Sequence, residues 1–369
     1  MSRDIGRDRK SSCIHGKKTP MKSPRWEGGI GVILLLFLLL PACLRQTRPE
    51  SPPSEARLVW PREDALPRIE YVKSFTGPKD LGIPAGDGLF SWMKRAIFGG
   101  QEPRMRRPVA VVRTPGGTLY VADAEARGVH RFDTRKKRYR FIQGEGGTPF
   151  PAPVGLARGE GERVYLVDSY LKGVFLISPD RDIARPVPLD APLLRPTAMA
   201  IDPGEGTLFV VDTKAHQIKV FDGRGKFRAS VGRRGKGPGE FNFPTAIWRD
   251  TVGRLYITDA LNFRIEVFDA SLHFLQLFGR AGDATGYFSR PKGIATDDFG
   301  HIYVVDALFH AVQIFDLSGK FLLSFGEMGN GPGTFWLPSG IFVTEEGEIY
   351  VADTYNRRIQ VFRYIGERR

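Results

Sequence analysis

The sequence is poor in the residues that most often carry chemistry. It has two cysteines, Cys13 and Cys43, and six histidines in 369 residues. Two cysteines exclude a disulfide framework, and cleavage before Cys43 leaves a single thiol. There is no CxxCH haem-attachment motif, GxSxG nucleophile elbow, HExxH zinc helix or P-loop. The longest apolar run is about a dozen residues, short of the roughly 20 that a membrane-spanning helix needs.

What is abundant is punctuation. Gly 43 and Pro 27, with 11% aromatics and 41% apolar residues, suit many short strands and turns around a sizeable core. The formal charge is +13. Residues 1–42 hold eight Lys/Arg and three Asp/Glu, so the remainder carries 46 against 38, or +8. A mildly basic balance does not by itself imply nucleic acid.

Residues 28–40, GGIGVILLLFLLL, follow Lys22 and Arg25 and lead into Leu40-Pro41-Ala42-Cys43. A basic flank, a short apolar stretch and small residues at its end form a signal peptide, expected over 1–42, with Met21 an alternative start. The end resembles the lipobox of bacterial lipoproteins. That resemblance implies acylation of Cys43 and a lipid anchor to a membrane, and Leu44 in place of aspartate favours the outer membrane, facing periplasm or cell exterior. An uncleaved membrane helix is the competing reading. Residues 43–58 are charged and rich in Pro and Ser, and read as a solvated tether.

Periodicity dominates the remainder. TPGGTLYVADAEARGVHRFD (114–133) returns as DTVGRLYITDALNFRIEVFD (250–269) and DDFGHIYVVDALFHAVQIFD (297–316). An aspartate closes the second strand of each copy at Asp123, Asp168, Asp212, Asp259, Asp306 and Asp353, spaced 45, 44, 47, 47 and 47. A proline opens each copy at Pro108, Pro153, Pro196, Pro244, Pro291 and Pro338. Units of this length match a four-stranded blade of about 40–45 residues, so six of them over 108–369 predict an all-β, six-bladed β-propeller. The last unit has only three strands. RIEYVKSFTG (68–77) matches the fourth-strand phrase GKFLLSFGEMG (319–329), so an N-terminal strand within 59–107 is expected to close the ring. In the same stretch, Leu89, Phe90, Met93 and Ile97 follow helical spacing and predict a short helix.

The repeated phrase resembles the NHL repeat. Asn262 and Asn356 match its Asn position, His216 and His310 its His position. These propellers serve mainly as binding platforms. Strands alternate in direction, so the opening prolines, the turns after the aspartates and the blade crossovers share one face. That face collects Arg127, His216, Arg233, Arg234, Arg280, Lys292, His310 and Arg357, the candidate partner-binding residues, together with Arg358. A basic docking rim for an acidic partner is one reading, and solvated surface charge the other. The six aspartates are expected to accept backbone N–H groups in the turns that follow them.

The amidating lyase of peptidylglycine is a similar propeller whose zinc histidines directly follow the opening prolines. Here those slots hold Val109, Val154, Thr197, Thr245, Lys292 and Ser339, so neither that activity nor a metal cofactor is expected. Four functions compete. The first is a non-enzymatic, exported scaffold for a protein with an acidic surface. The N-terminal phrase also resembles bacterial propeller lipoproteins associated with multihaem cytochrome systems, so such a complex is a candidate partner by analogy. The second is a lactonase-like hydrolase or lyase with its ligand in the central tunnel. The third is nucleic-acid binding, which export makes improbable. The fourth is a surface contact made by the helical insert.

Overall fold

The computed structural model describes residues 57–61, 66, 68–84, 102–178 and 180–366. The signal peptide, Cys43, nearly all of the tether and the predicted helix around Leu89–Ile97 lie outside the described residues.

The chain forms a six-bladed all-β propeller. Blade one runs through Pro108–Arg113, Thr118–Asp123, Gly128–Asp133 and Arg138–Gly144, and blade two through Pro153–Arg158, Val164–Asp168, Gly173–Ile177 and Ile183–Pro186. Blade three holds Pro196–Ile201, Leu208–Asp212, Gln217–Phe221 and Phe227–Val231. Blade four holds Pro244–Arg249, Leu255–Asp259, Arg264–Phe268 and Phe274–Phe278. Blade five holds Pro291–Thr296, His301–Asp306, Ala311–Asp316 and Phe321–Phe325, and blade six supplies Ile341–Val343, Glu348–Asp353 and Arg358–Tyr364.

The expected closure is present. Ile69–Phe75 pairs antiparallel with Arg358–Tyr364, from Ile69 opposite Tyr364 to Phe75 opposite Ile359. A strand not foreseen, Val59–Trp60, adds outside it, making blade six five-stranded. Trp60 then covers Phe325 and Phe362, tying the end of the ring to blade five.

Burial follows strand position. The middle strands are buried on both sides, as in Leu255–Asp259 and Arg264–Phe268, because each blade packs against two neighbours. Fourth strands alternate, as in Phe274–Phe278, because one side meets solvent. The apolar core therefore lies between blades: Val211, Ile218 and Phe241 meet Ile247 and Ile257, for example, between blades three and four. Blades one and two depart from the pattern. Their outer strands join in parallel at Ile183–Gln143 and Ala184–Gly144, giving one eight-stranded sheet.

Candidate functional site

The six aspartates organise the loop face. All are completely buried. Asp123 accepts backbone N–H groups from Arg106 and Arg107 before the opening proline, and from Glu125 and Ala126 in the following turn. Asp306 does the same with Ser289, Arg290, Leu308 and Phe309. The expected turn bonds are there at Asp123, Asp168 and Asp306, whereas Asp212, Asp259 and Asp353 take backbone N–H groups from the preceding crossover, a second set that all six share. At Asp123 burial opposes ionisation, but bonds from His130, Ala126 and Arg106 prevail and hold the carboxyl at about 2. At Asp259 and Asp353 burial prevails and raises the carboxyl above its ordinary value.

Four residues after each aspartate the chain turns left-handed, at Arg127, Lys172, His216, Phe263, His310 and Arg357, with φ from 53 to 62°. This conformation is uncommon for side chains other than glycine. It turns Arg127, Lys172 and Arg357 outward, exposed to solvent. The two histidines act differently. His216 is buried and its Nδ1 accepts the Phe243 N–H at 3.2 Å, while the Nδ1 of His310 accepts the Leu337 N–H at 3.1 Å. Each ring thus pins its turn to the next crossover, which removes His216 from the rim and commits one ring nitrogen of His310.

Arg358 also leaves the rim. It is buried, bonded through Nε to Asp353, and donates to the carbonyls of Asn330, Gly331 and Thr334. Arg264 does the same two repeats earlier, toward Asp259 and the carbonyls of Lys236, Gly237 and Glu240. Both begin a third strand just behind a buried carboxylate, which draws the guanidinium inward. Arg233 is exposed but paired with Glu240, and Arg280 lies over the Tyr287 ring at 4.1 Å.

The remaining cations of this face have no carboxylate partner among the described residues: Arg106, Arg107, Arg127, Lys172, Arg234 and Arg357 are all exposed. The opposite face holds charge pairs, for instance Arg113 with Glu348, Arg158 with Glu345, Arg249 with Asp202 and Arg254 with Asp250, beside exposed cations such as Arg135, Lys136, Arg224 and Lys226. Exposed apolar side chains share the unpaired face. Tyr170, Leu171, Leu261, Leu308 and Tyr355 project from the turns after the aspartates, and Trp336 from a crossover, packed on Tyr355 at 5.7 Å. Sequence reasoning missed them because it weighed only the charged residues of these turns. Their common position after the aspartates was the available signal.

The central tunnel holds about 1030 Å³. Val109, Val154, Thr197, Thr245, Lys292 and Ser339 line its mouth on the loop face, as the repeat register predicts. Lys292 is half-buried there with Arg290 and Arg195 beside it. Burial, and then those two positive charges, hold its ammonium below the ordinary lysine range. Below the mouth the wall is apolar, with Ala198, Met199, Ile247, Ile294 and Ile341. Toward the other face, Trp248 of blade four and Phe342 of blade six meet edge-on at 5.6 Å, and the Arg158 guanidinium of blade two lies over Phe342 at 5.8 Å. Side chains from three non-adjacent blades thus narrow that end, and beyond them the lining continues to Glu160, Asp298 and Glu345 in the turns of the opposite face. No three His, Cys, Asp or Glu side chains are grouped as metal ligands among the described residues.

Known proteins share this architecture. A family model described as a 6-bladed beta-propeller matches residues 199–278 and 287–366. No curated protein sequence matches the chain. Among solved structures, virginiamycin B lyase from Staphylococcus aureus is similar at 16% identity and a TM-score of 0.52, over 70% of this chain and 95% of that one. An auxiliary nutrient binding protein from Bacteroides thetaiotaomicron is similar at 13% identity and a TM-score of 0.57, over 71% and 70%. Kuenenia stuttgartiensis hydrazine synthase follows at 14% and 0.51, over 72% and 97%. At these identities the likeness establishes the fold and leaves function to the site itself.

Proposed function

We propose that this chain is an exported, lipid-anchored propeller of NHL type that acts as a non-enzymatic docking platform, binding a protein with an acidic surface through its loop face. One observation carries the reading: exposed Tyr, Trp and Leu side chains gather among exposed, unpaired cations on one face. Arginine and large aromatics are the residues that dominate protein interfaces, and uncompensated charge selects an oppositely charged partner and speeds encounter. The anchor on Cys43 holds this platform at a membrane, and the tether lets it reach a neighbour.

The test is cross-linking in native cells with a tagged chain, read by mass spectrometry. The control carries Arg127, Arg234 and Arg357 changed to Glu, three exposed cations whose side chains make no hydrogen bond or ion pair among the described residues. One dominant acidic partner, reduced roughly tenfold or more in the control, supports the platform. By analogy with similar lipoproteins, a multihaem cytochrome complex is the first partner to look for. An unchanged partner set in the control refutes the face assignment, and capture of nucleic acid or lipid alone refutes the protein partner.

A further inference from the structure

The tunnel mouth carries a second surface, separate from the rim. Three cations converge there without any carboxylate among the described residues, although carboxylates pair with most arginines on the opposite side of the ring. Keeping like charges together beside an apolar cavity is unfavourable unless something neutralises them. An independent observation comes from the neighbouring blade. Thr245 holds the same slot as Lys292, one repeat earlier. The equivalent hydroxyls of Thr197 and Ser339 donate to the carbonyls of Thr245 and Val109, each in the next blade. The Thr245 hydroxyl is buried and has no partner. A buried donor without an acceptor is rare in folded proteins and marks a position where an acceptor is wanted.

We propose that the tunnel binds a small amphipathic carboxylate. Its anionic head sits on Lys292, Arg290 and Arg195 beside the Thr245 slot, and its apolar body lies against Val154, Met199, Ile294 and Ile341. The volume, about 1030 Å³, is at the upper end for small-molecule sites of roughly 300–1,000 Å³. The aromatic constriction at Trp248 and Phe342, with Glu160, Asp298 and Glu345 beyond it, sets the polarity of binding: head toward the loop face, body toward the constriction. Binding restores charge balance at the mouth, so it also raises the affinity of Lys292 for its proton. The site needs no protein partner and fails or succeeds independently of the docking platform.

The probes are 1-naphthoate, its neutral alcohol analogue 1-naphthylmethanol and its cationic analogue 1-naphthylmethylamine, titrated into the full chain by calorimetry. The expected order is carboxylate over alcohol over amine. Lys292→Met combined with Arg290→Ala weakens the carboxylate by at least about tenfold while leaving the alcohol unchanged. In the unmodified chain, 1-naphthoate slows acylation of Lys292 by an amine-reactive reagent and leaves that of exposed Lys214 unchanged. This second measurement needs no variant to fold. The proposal is overturned if none of the probes binds, if the alcohol equals the carboxylate, or if Lys292 reacts equally fast with and without 1-naphthoate.

Discussion

Glu266 offers the sharpest check on how the loop face is held together. It is completely buried, its Oε2 accepts the Gly239 N–H at 2.8 Å, and its Oε1 meets Nη2 of Arg264 at 2.5 Å. That one guanidinium also serves Asp259, so the site buries two carboxylates against one cation. Burial pushes the Glu266 carboxyl up, to about 7, with Arg264 opposing. A carboxyl above its unfolded value of 4.5 takes up a proton on folding between those limits, so its contribution to stability is complete below pH 4.5 and is lost as pH rises through 7. At about 1.4 kcal/mol per unit, the loss is at most about 3 kcal/mol.

Glu266→Gln removes it. The fit is already demonstrated in the next two blades, where Gln313 and Gln360 hold the same register and accept the Gly286 and Gly333 N–H groups. Gln360 also donates to the Thr334 carbonyl and to Asp353, and the matching acceptors around position 266 are the Glu240 carbonyl and Asp259. The assay is thermal melting of both forms from pH 5 to pH 8. The variant is expected to match the parent at pH 5 and to exceed it by several degrees at pH 8. A variant less stable at pH 8, with the gap closing toward pH 5, shows instead that Glu266 folds ionised against Arg264, and the argument fails.

Three more outcomes are expected. Deleting residues 59–77 removes the outer strands of blade six and exposes Arg358–Tyr364 along one edge; the product should aggregate on expression, and a soluble product that melts cooperatively would refute the closure. Gly279 has φ +90°, and a Cβ there would lie 2.3 Å from the Phe288 ring, so Gly279→Ala should cost about 2–4 kcal/mol in chemical denaturation, against about 1 kcal/mol for Gly161→Ala, which shares a positive φ of +60° but has open space around it. Cys43→Ser should move the chain from the membrane to the soluble fraction, and retention would favour an uncleaved helix.

The repeat, the ring closure and the tunnel-mouth slots were legible because each rests on register: a strand's alternation and a fixed spacing say which residues align. What register does not convey is where a long side chain turns at the end of a strand. Arg357 and Arg358 are adjacent in sequence, yet the left-handed backbone at Arg357 sends it to solvent while Asp353 draws Arg358 inward. His216 reads as a rim residue until the Phe243 N–H fills its Nδ1. The missing partner of Thr245 is visible only in three dimensions, since Thr197 in the same slot has one.

The closing strand also sets an order of events. Ile69 pairs with Tyr364, so the first strand of the ring to leave the ribosome waits for nearly the last. Contacts that distant in sequence form slowly. Until then the growing chain carries an unpaired strand at one end and an unfinished blade at the other, both able to pair with another molecule. The ring thus reports its own completion: a truncated chain lacks the last hydrogen-bonded seam and keeps both edges open to pairing.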